Sequence, residues 1–91
     1  MTTFEEFTTT ELAKSPAEIL ERVWLPDATA PEHTHPFDVS ALIVKGDLWL
    51  TREGATEHLR PGDRFEVPRG TPHAERYGPQ GATFWVARRA A

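Results

Sequence analysis

The sequence predicts a small all-β protein, built as an antiparallel barrel or sandwich. After residue 40, turn signals recur at Lys45-Gly46, Glu53-Gly54, Pro61-Gly62-Asp63, Pro68-Arg69-Gly70 and Gly78-Pro79-Gln80-Gly81. Between them lie short runs rich in β-branched, aromatic and leucine residues, over residues 39–44, 47–52, 56–60 and 82–87. Short strands that alternate with turns every roughly 8–12 residues are typical of sandwiches and barrels. The 91 residues are one domain's length.

The N-terminal part has a different pattern. Residues 8–14 predict a short helix that Pro16 ends. Residues 17–25 fit a helical stripe or a strand, and we favour the strand because the run ends at Pro26-Asp27 and directly precedes the β region. We therefore expect residues 1–17 to form a short helix or strand that packs on the barrel or on a partner subunit, and residues 18–91 to form the barrel.

Composition and charge narrow the classes of function. The net charge is -4 and the ten Lys and Arg are scattered, which argues against nucleic acid as a partner. Cysteine is absent, so imidazole and carboxylate are the strong metal ligands that remain. The first residues lack the pattern of a signal peptide, and no run of about eighteen apolar residues occurs. We expect a cytoplasmic protein without a membrane partner.

Three histidines form a candidate metal site. His33 and His35 are two residues apart, so on a strand both imidazoles would point to one face. A later strand would bring His73 to the same ion. Taken singly, each of these histidines is more often a surface or turn residue, and their common spacing is what makes the site a hypothesis.

The spacing around these histidines resembles two sequence motifs of the cupin family. Residues 33–46 read His-x-His-x3-Val-x6-Gly, and residues 62–77 read Gly-x5-Pro-x-Gly-x2-His-x3-Tyr. The chain departs from the family at Val39, where a glutamate or another ligand is usual, and at Tyr77, where asparagine is more frequent. The resemblance covers about residues 18–88. It implies a conical antiparallel barrel, the double-stranded β-helix, with Gly46 ending the first hairpin and a metal ion held by His33, His35 and His73.

The fourth ligand position is open in this sequence because the side chain of Val39 cannot coordinate. Asp38 is adjacent, but the two-residue period of a strand turns it to the opposite face unless a bulge intervenes. Glu75 and Tyr77 share the face of His73 and are candidates for a fourth ligand or for the pocket wall. A three-histidine site is our base expectation. The ligands do not identify the ion, which is one divalent transition metal, either Fe, Mn, Zn, Ni or Cu.

The same strand period predicts the lining of the cavity. Val39, Ala41 and Ile43 should face the cavity, while Leu42 and Val44 pack on the other side. His58 lies outside both motifs and is predicted to be a surface residue. An apolar lining with few polar groups is typical of a small-molecule pocket.

Two classes of function fit these features. One is a metal-dependent oxygenase, isomerase or lyase in which Glu75 or Tyr77 transfers a proton. The alternative is a non-catalytic module that binds a sugar-like or other metabolite, since stand-alone cupins resemble the ligand-binding halves of sugar-responsive regulators. A homodimer is expected because a domain of this size has a thin core and barrels of this family often pair.

Overall fold

The computed structural model describes residues 2–90, which form one helix and six antiparallel strands. The all-β class with a short N-terminal helix is therefore confirmed. The elements are α1 (Phe4–Lys14), β1 (Glu18–Trp24), β2 (Thr29–His33), β3 (Phe37–Arg52), β4 (Ala55–Leu59), β5 (Arg64–Val67) and β6 (His73–Ala90). Helix α1 is too short and too polar to cross a membrane, and no other helix lies within residues 2–90.

Helix α1 begins earlier than the sequence analysis predicted. Thr3 is its N-cap: the Thr3 hydroxyl accepts a hydrogen bond from the Glu6 backbone at 3.1 Å, and the Glu6 carboxylate accepts one from the Thr3 backbone at 2.9 Å. This reciprocal capping box satisfies two backbone donors that the first turn would otherwise leave free. Thr-x-x-Glu was readable in the sequence and marks the true start. The helix ends at Lys14, just before Ser15 and Pro16, as predicted.

The long strands β3 and β6 pair with each other and, between them, with every other strand of the barrel. The first half of β3 pairs with the C-terminal half of β6 and with β5, and its second half pairs with the N-terminal half of β6 and with β4. Strand β1 lies on the other side of the C-terminal half of β6, and β2 on the other side of its N-terminal half. The pairing therefore produces two four-stranded sheets, β1-β6-β3-β5 and β2-β6-β3-β4, which share their two central strands.

Two of the predicted turns are bends inside these long strands. The prediction that Gly46 ends a hairpin is wrong, because β3 continues to Arg52 and Gly46 stays paired with Ala82 through shifts in register. Gly46 and Gly81 have φ values of 67° and 70°, and a Cβ on Gly46 would overlap the backbone of Gly81. Glycine permits this local bend, and since both strands bend at the same level their hydrogen bonding resumes beyond it. The segment from Gly78 to Gly81 likewise lies within β6.

Two apolar clusters lie on the two faces of the sheets. Ala41 and Ile43 are fully buried in the inner cluster with Val39 packed against it, whereas Leu42 belongs to the outer cluster with Val44 packed against that one. The predicted alternation of faces along β3 is confirmed, but of the three residues expected to line the cavity Val39 does so, whereas Ala41 and Ile43 are part of the core. The inner cluster comprises Ala41, Ile43, Leu48, Leu50, Leu59, Phe65, Val67, Tyr77, Ala82, Phe84 and Val86.

Helix α1 covers the outer cluster. Phe7 is fully buried there with Leu42, Trp85 and Ala87. The carboxylate of the fully buried Glu11 lies 2.8 Å from the Lys14 ammonium and 3.2 Å from the Arg89 guanidinium. Burial alone would raise the pKa of Glu11, but these two cations outweigh it and hold the pKa below its usual value. The helix is thus fixed to β6 by an aromatic contact and a compensated buried charge.

Candidate metal centre

The fold brings His33, His35 and His73 together at one place. One potential ligand atom from each ring lies within 4.8 Å of those of the other two, and the ring centroids are 4.2 to 5.0 Å apart. His33 is the last residue of β2 and pairs in register with His73, the first residue of β6. His73 is buried, and the other two rings are partly exposed. Three imidazoles at this spacing can converge on a single ion.

His35 is not on the strand that carries His33, which corrects the simple strand model of the sequence analysis. Strand β2 ends at His33, and β3 begins at Phe37. Pro36 lacks the N–H that a continued ladder would need, so the chain turns between the strands. The His35 ring nevertheless reaches the cluster, where it stacks on Phe37 with ring centroids 4.8 Å apart and an interplanar angle of 13°.

Two of the rings have their tautomers set by backbone carbonyl groups. His33 Nδ1 lies 2.6 Å from the Pro31 carbonyl oxygen, and His73 Nδ1 lies 2.9 Å from the Thr71 carbonyl oxygen. A carbonyl oxygen can only accept, so in each pair Nδ1 carries the proton and donates. In the neutral ring, Nε2 then keeps its lone pair, which is the state that binds a metal ion.

His35 is favoured in its neutral form by its surroundings. Burial is the main cause that lowers its pKa, and the neighbouring His33 and His73 and the guanidinium groups of Arg88 and Arg22 lower it further. A neutral imidazole is the ligand form, so the pocket keeps His35 competent to bind a metal ion at lower pH than an ordinary histidine.

The turn between β5 and β6 holds the His35 loop in place. The Gly70 backbone N–H donates to the His35 carbonyl oxygen at 2.9 Å. The Arg69 backbone N–H donates to the Asp38 carboxylate at 2.8 Å, and the Arg69 guanidinium lies 3.2 Å from the same carboxylate. These bonds lower the pKa of Asp38. The segment that leads into His73 therefore also fixes the segment that carries His35.

The candidates for a fourth ligand occupy three different environments. Asp38 is bound to Arg69 and lies away from the histidine cluster, as the strand period predicted. Val39 lines the cavity that the histidines share. Glu75 also lines this cavity but is not part of the group of close ligand atoms, which contains three histidines within residues 2–90. Within residues 2–90, no carboxylate therefore joins the three histidines as a ligand.

Tyr77 lies deeper than Glu75, inside the core. It is 1% exposed, and its ring stacks on Trp24 with centroids 4.7 Å apart. Its hydroxyl has no hydrogen-bond partner among the described residues. Burial raises the pKa of Tyr77 well above its usual value, and the nearby Glu75 carboxylate raises it further. The phenol therefore keeps its proton, and Tyr77 lies behind the wall of the cavity.

The cavity beside the histidines has a volume of about 380 Å³ and mainly apolar walls. Its aromatic and aliphatic lining includes Trp24, Phe37, Val39, Phe65, Val67, Phe84 and Val86. Arg22 of β1 and Arg88 of β6 also line it, and the sequence analysis missed both. The two-residue period of a strand could have predicted both positions. Arg22 is two residues before Trp24, and Arg88 is two residues after Val86, so each arginine shares a face with a residue that lines the cavity.

His58 lies on the outside of the barrel. Its ring stacks on Trp49 with centroids 4.2 Å apart, and its Nε2 is 2.6 Å from the Asp47 carboxylate. The guanidinium of Arg76 covers Trp49 at 4.2 Å. These residues belong to neighbouring strands, and they are separate from the cavity. His58 was predicted to be a surface residue, and it is partly exposed.

Comparison with known proteins gives one family match and a set of similar structures. A family model described as "Cupin domain" matches residues 21–82. This range includes all three histidines, both motif segments and the bends of the two long strands. No curated protein matches the chain at the sequence level.

Three solved structures illustrate the similarity of fold. A protein of unknown function from Rhizobium leguminosarum bv. viciae 3841 has a TM-score of 0.78 and 21% identity, over 84% of this chain and 72% of that one. An RmlC-like cupin from Shewanella frigidimarina NCIMB 400 has a TM-score of 0.73 and 21% identity, over 82% and 67%. The polyketide cyclase RemF from Streptomyces resistomycificus has a TM-score of 0.72 and 25% identity, over 89% of this chain and 60% of RemF.

Proposed function

The chain belongs to the cupin family, and from that premise we propose that it binds one divalent transition-metal ion through His33, His35 and His73 beside a small-molecule pocket. The observation that carries the proposal is the convergence of three imidazole ligand atoms within 4.8 Å. The carbonyl partners of His33 and His73 support it, because they leave Nε2 of both rings able to coordinate.

The donor set fits a transition metal. Neutral imidazole suits Fe, Zn, Ni and Cu, and Mn less well. Three neutral ligands leave the double charge of the ion uncancelled and leave positions free for water or a bound molecule. An ion held there would supply Lewis-acid chemistry by polarising an oxygen of the bound molecule.

Among the residues of the chain, we assign any proton transfer to Glu75. Its carboxylate lines the cavity, so it can reach a molecule bound there. Tyr77 is a poorer candidate because it is buried behind the wall and its raised pKa keeps it protonated. Val39 and the phenylalanines exclude water from the apolar side of the cavity and orient the apolar part of a ligand.

The first candidate class is a metal-dependent enzyme, either an oxygenase, an isomerase or a lyase. The similarity to the polyketide cyclase RemF supports an enzyme, since that relative is catalytic and covers most of this chain. The second candidate is a binding module for a small metabolite. Val39 supports the second, because it removes a ligand that a metal-dependent enzyme would use to hold its ion more tightly.

Metal analysis tests the site directly. Protein purified without added metal or chelator should contain up to one equivalent of a first-row transition metal. Adding Fe, Mn, Zn, Ni or Cu to metal-free protein should raise its Tm, because an ion that binds only the folded state stabilises it. Absence of metal together with no gain in Tm for any of the five ions would contradict the proposal.

Measurement of oxygen uptake distinguishes an oxygenase from the other candidate enzymes and from a binding module. If the protein binds iron, copper or manganese and is an oxygenase, uptake should accompany turnover of a small phenol, diketone or thiol. Isomerase and lyase activity would appear as product formation without uptake. Binding of such compounds without turnover would favour the module.

We also propose a homodimer, with β1 at the interface. Within residues 2–90, β1 pairs with β6 on one edge and has no partner on the other. Val23 and the adjacent Leu25 are 69% and 75% exposed. A free strand edge with exposed apolar residues favours association with a second copy. Sedimentation showing a monomer at working concentration would contradict this. The cytoplasmic location and the domain boundary at residue 17 stay predictions.

A further inference from the structure

We propose that the cavity takes a small carboxylic acid with an apolar body, and that Arg22 and Arg88 bind its carboxylate. This inference rests on the proposed function, since the metal centre supplies one side of the same pocket. It names the class of ligand, which neither the family nor the three histidines identify. The argument depends on the pairing, the charges and the apolar walls around the two guanidinium groups.

Arg22 is one of the two cations in the cavity wall. Its guanidinium lies 5.5 Å from the ring centroid of Trp24, and both residues line the cavity. Within residues 2–90 it forms no ion pair and its side chain forms no hydrogen bond, whereas Arg52, Arg64, Arg69, Arg88 and Arg89 each have an acidic partner. An arginine with five unused donors beside an aromatic ring is suited to a planar anion.

Arg88 carries the second guanidinium of the wall, and Phe37 lies between it and the histidine cluster. The guanidinium lies 4.9 Å from the ring centroid of Phe37, and Phe37 in turn stacks on His35 at 4.8 Å. Its one acidic partner within residues 2–90 is Glu18, at 3.5 Å, and the Glu18 side chain is 63% exposed. An exposed pair of this kind is weak, so Arg88 can exchange Glu18 for the carboxylate of a ligand.

The charge of the pocket favours an anion once a metal ion is present. The charged residues of the wall are Arg22, Arg88, Glu32 and Glu75, which balance one another. Three neutral imidazoles add no charge, so a divalent ion leaves the pocket with an excess of two positive charges. A carboxylate reduces this excess of positive charge. Its two oxygens can also accept two parallel hydrogen bonds from the N–H groups of one guanidinium.

The rest of the wall favours an apolar body of limited size. Phe65, Phe84, Val67 and Val86 provide the apolar part of the wall. The volume of about 380 Å³ lies near the lower end of the range of about 300–1,000 Å³ for small-molecule sites. The cavity therefore suits a ring or a short chain that carries one acidic group.

Matched acids and amides test the inference. Calorimetric titration of zinc-loaded protein should show benzoate and hexanoate binding at least about tenfold more tightly than benzamide and hexanamide, because only the acids can form charge-assisted hydrogen bonds with the guanidinium groups. R22Q and R88Q should each weaken the acids about tenfold and leave the amides and the zinc content unchanged. R76Q is the control, because Arg76 covers Trp49 on the outside of the barrel.

The outcomes separate this inference from the proposed function. If zinc binds but acids and amides bind equally, or neither acid binds detectably, the carboxylate inference is overturned while the metal site stands. Tighter binding of phenyl phosphate than of benzoate would also overturn it. If wild-type protein binds none of Fe, Mn, Zn, Ni and Cu, the proposed function fails, and the same titrations on metal-free protein decide whether the two arginines select acids by themselves. Retained Tm and circular dichroism show that each variant folds.

Discussion

The histidines of the cavity and His58 on the outer face use the same side chain in opposite ways. In the cavity, His33 and His73 donate from Nδ1 to backbone carbonyl groups, which leaves Nε2 free. On the outer face, the Nε2 of His58 is occupied by the Asp47 carboxylate at 2.6 Å, and its ring is stacked on Trp49. Each cavity histidine lies beside two other imidazoles with which it can share an ion, whereas His58 is not part of that group.

The two regions also differ in how their neighbours are arranged. The cavity histidines converge from a strand end, a loop and the start of another strand. His58, Trp49 and Arg76 lie side by side on neighbouring strands, on the outside of the barrel. Convergence of free nitrogens creates a site, whereas lateral stacking stabilises a sheet.

The largest expected difference concerns loss of a ligand. H73A should weaken metal binding by more than about 100-fold, since even changes to the partners of metal ligands cost about 10–100-fold. H58A should leave the metal affinity unchanged, because His58 lies outside the cavity with its Nε2 beside the Asp47 carboxylate. Competition with a chelator of known affinity measures both variants. Equal losses would mean that the cavity histidines are not the ligands.

Restoring a carboxylate at the open position should have a smaller effect, in the opposite direction. V39E should raise metal affinity about tenfold, the lower end of the effects usual for changes around metal ligands, because Val39 lines the cavity beside the histidines. The same carboxylate should lower the Tm of metal-free protein, since it lies in an apolar wall. V39Q, without the charge, serves as the control. Unchanged affinity in V39E would place residue 39 out of reach of the ion.

The lowered pKa of His35 predicts a dependence of stability on pH in metal-free protein. The unfolded chain takes up a proton near pH 6.5, whereas the folded protein does so at a lower pH. Between these two values the unfolded state binds more protons, so the free energy of unfolding should rise with pH, by at most about 1.4 kcal/mol per pH unit for one proton. Urea unfolding in chelator at several pH values measures this slope. H35Q should reduce it, and an unchanged slope would assign the effect to other groups.

The smallest effect is expected on the outer face. D47N removes the charge that holds His58 and should cost at most about 1 kcal/mol of stability, because both side chains are partly exposed. Metal affinity should not change. A loss of metal in D47N would break the separation between the two regions.

Several features were readable in the sequence because they depend on local spacing. The two-residue period placed Val39, Ala41 and Ile43 on one face and Leu42 on the other. The spacing of both motifs identified His33, His35 and His73, which the fold brings together. The same reading missed the capping box of Thr3 and Glu6, although both residues are in the sequence.

Other features depended on partners far away in the chain. Gly46 was interpreted as the end of a hairpin because glycine after lysine resembles a turn, but the approach of Gly81 makes it a bend. Whether a strand continues through a glycine depends on whether its neighbour bends at the same level, and a single segment does not contain that information. Arg22 and Arg88 line the same cavity because β1 pairs with β6, and neither strand by itself contains that information.

By itself, the sequence determined the β class, the alternation of the strands and the identity of the three histidines, because residue type and short spacing act within one segment. Only the tertiary structure decided which nitrogens stay free, where Glu75 and Tyr77 lie, and which charges face the cavity. Each of these depends on contacts between segments tens of residues apart, such as Gly70 with His35 and Arg88 with Phe37. Such contacts form when the strands pair and the side chains of distant segments meet across the core.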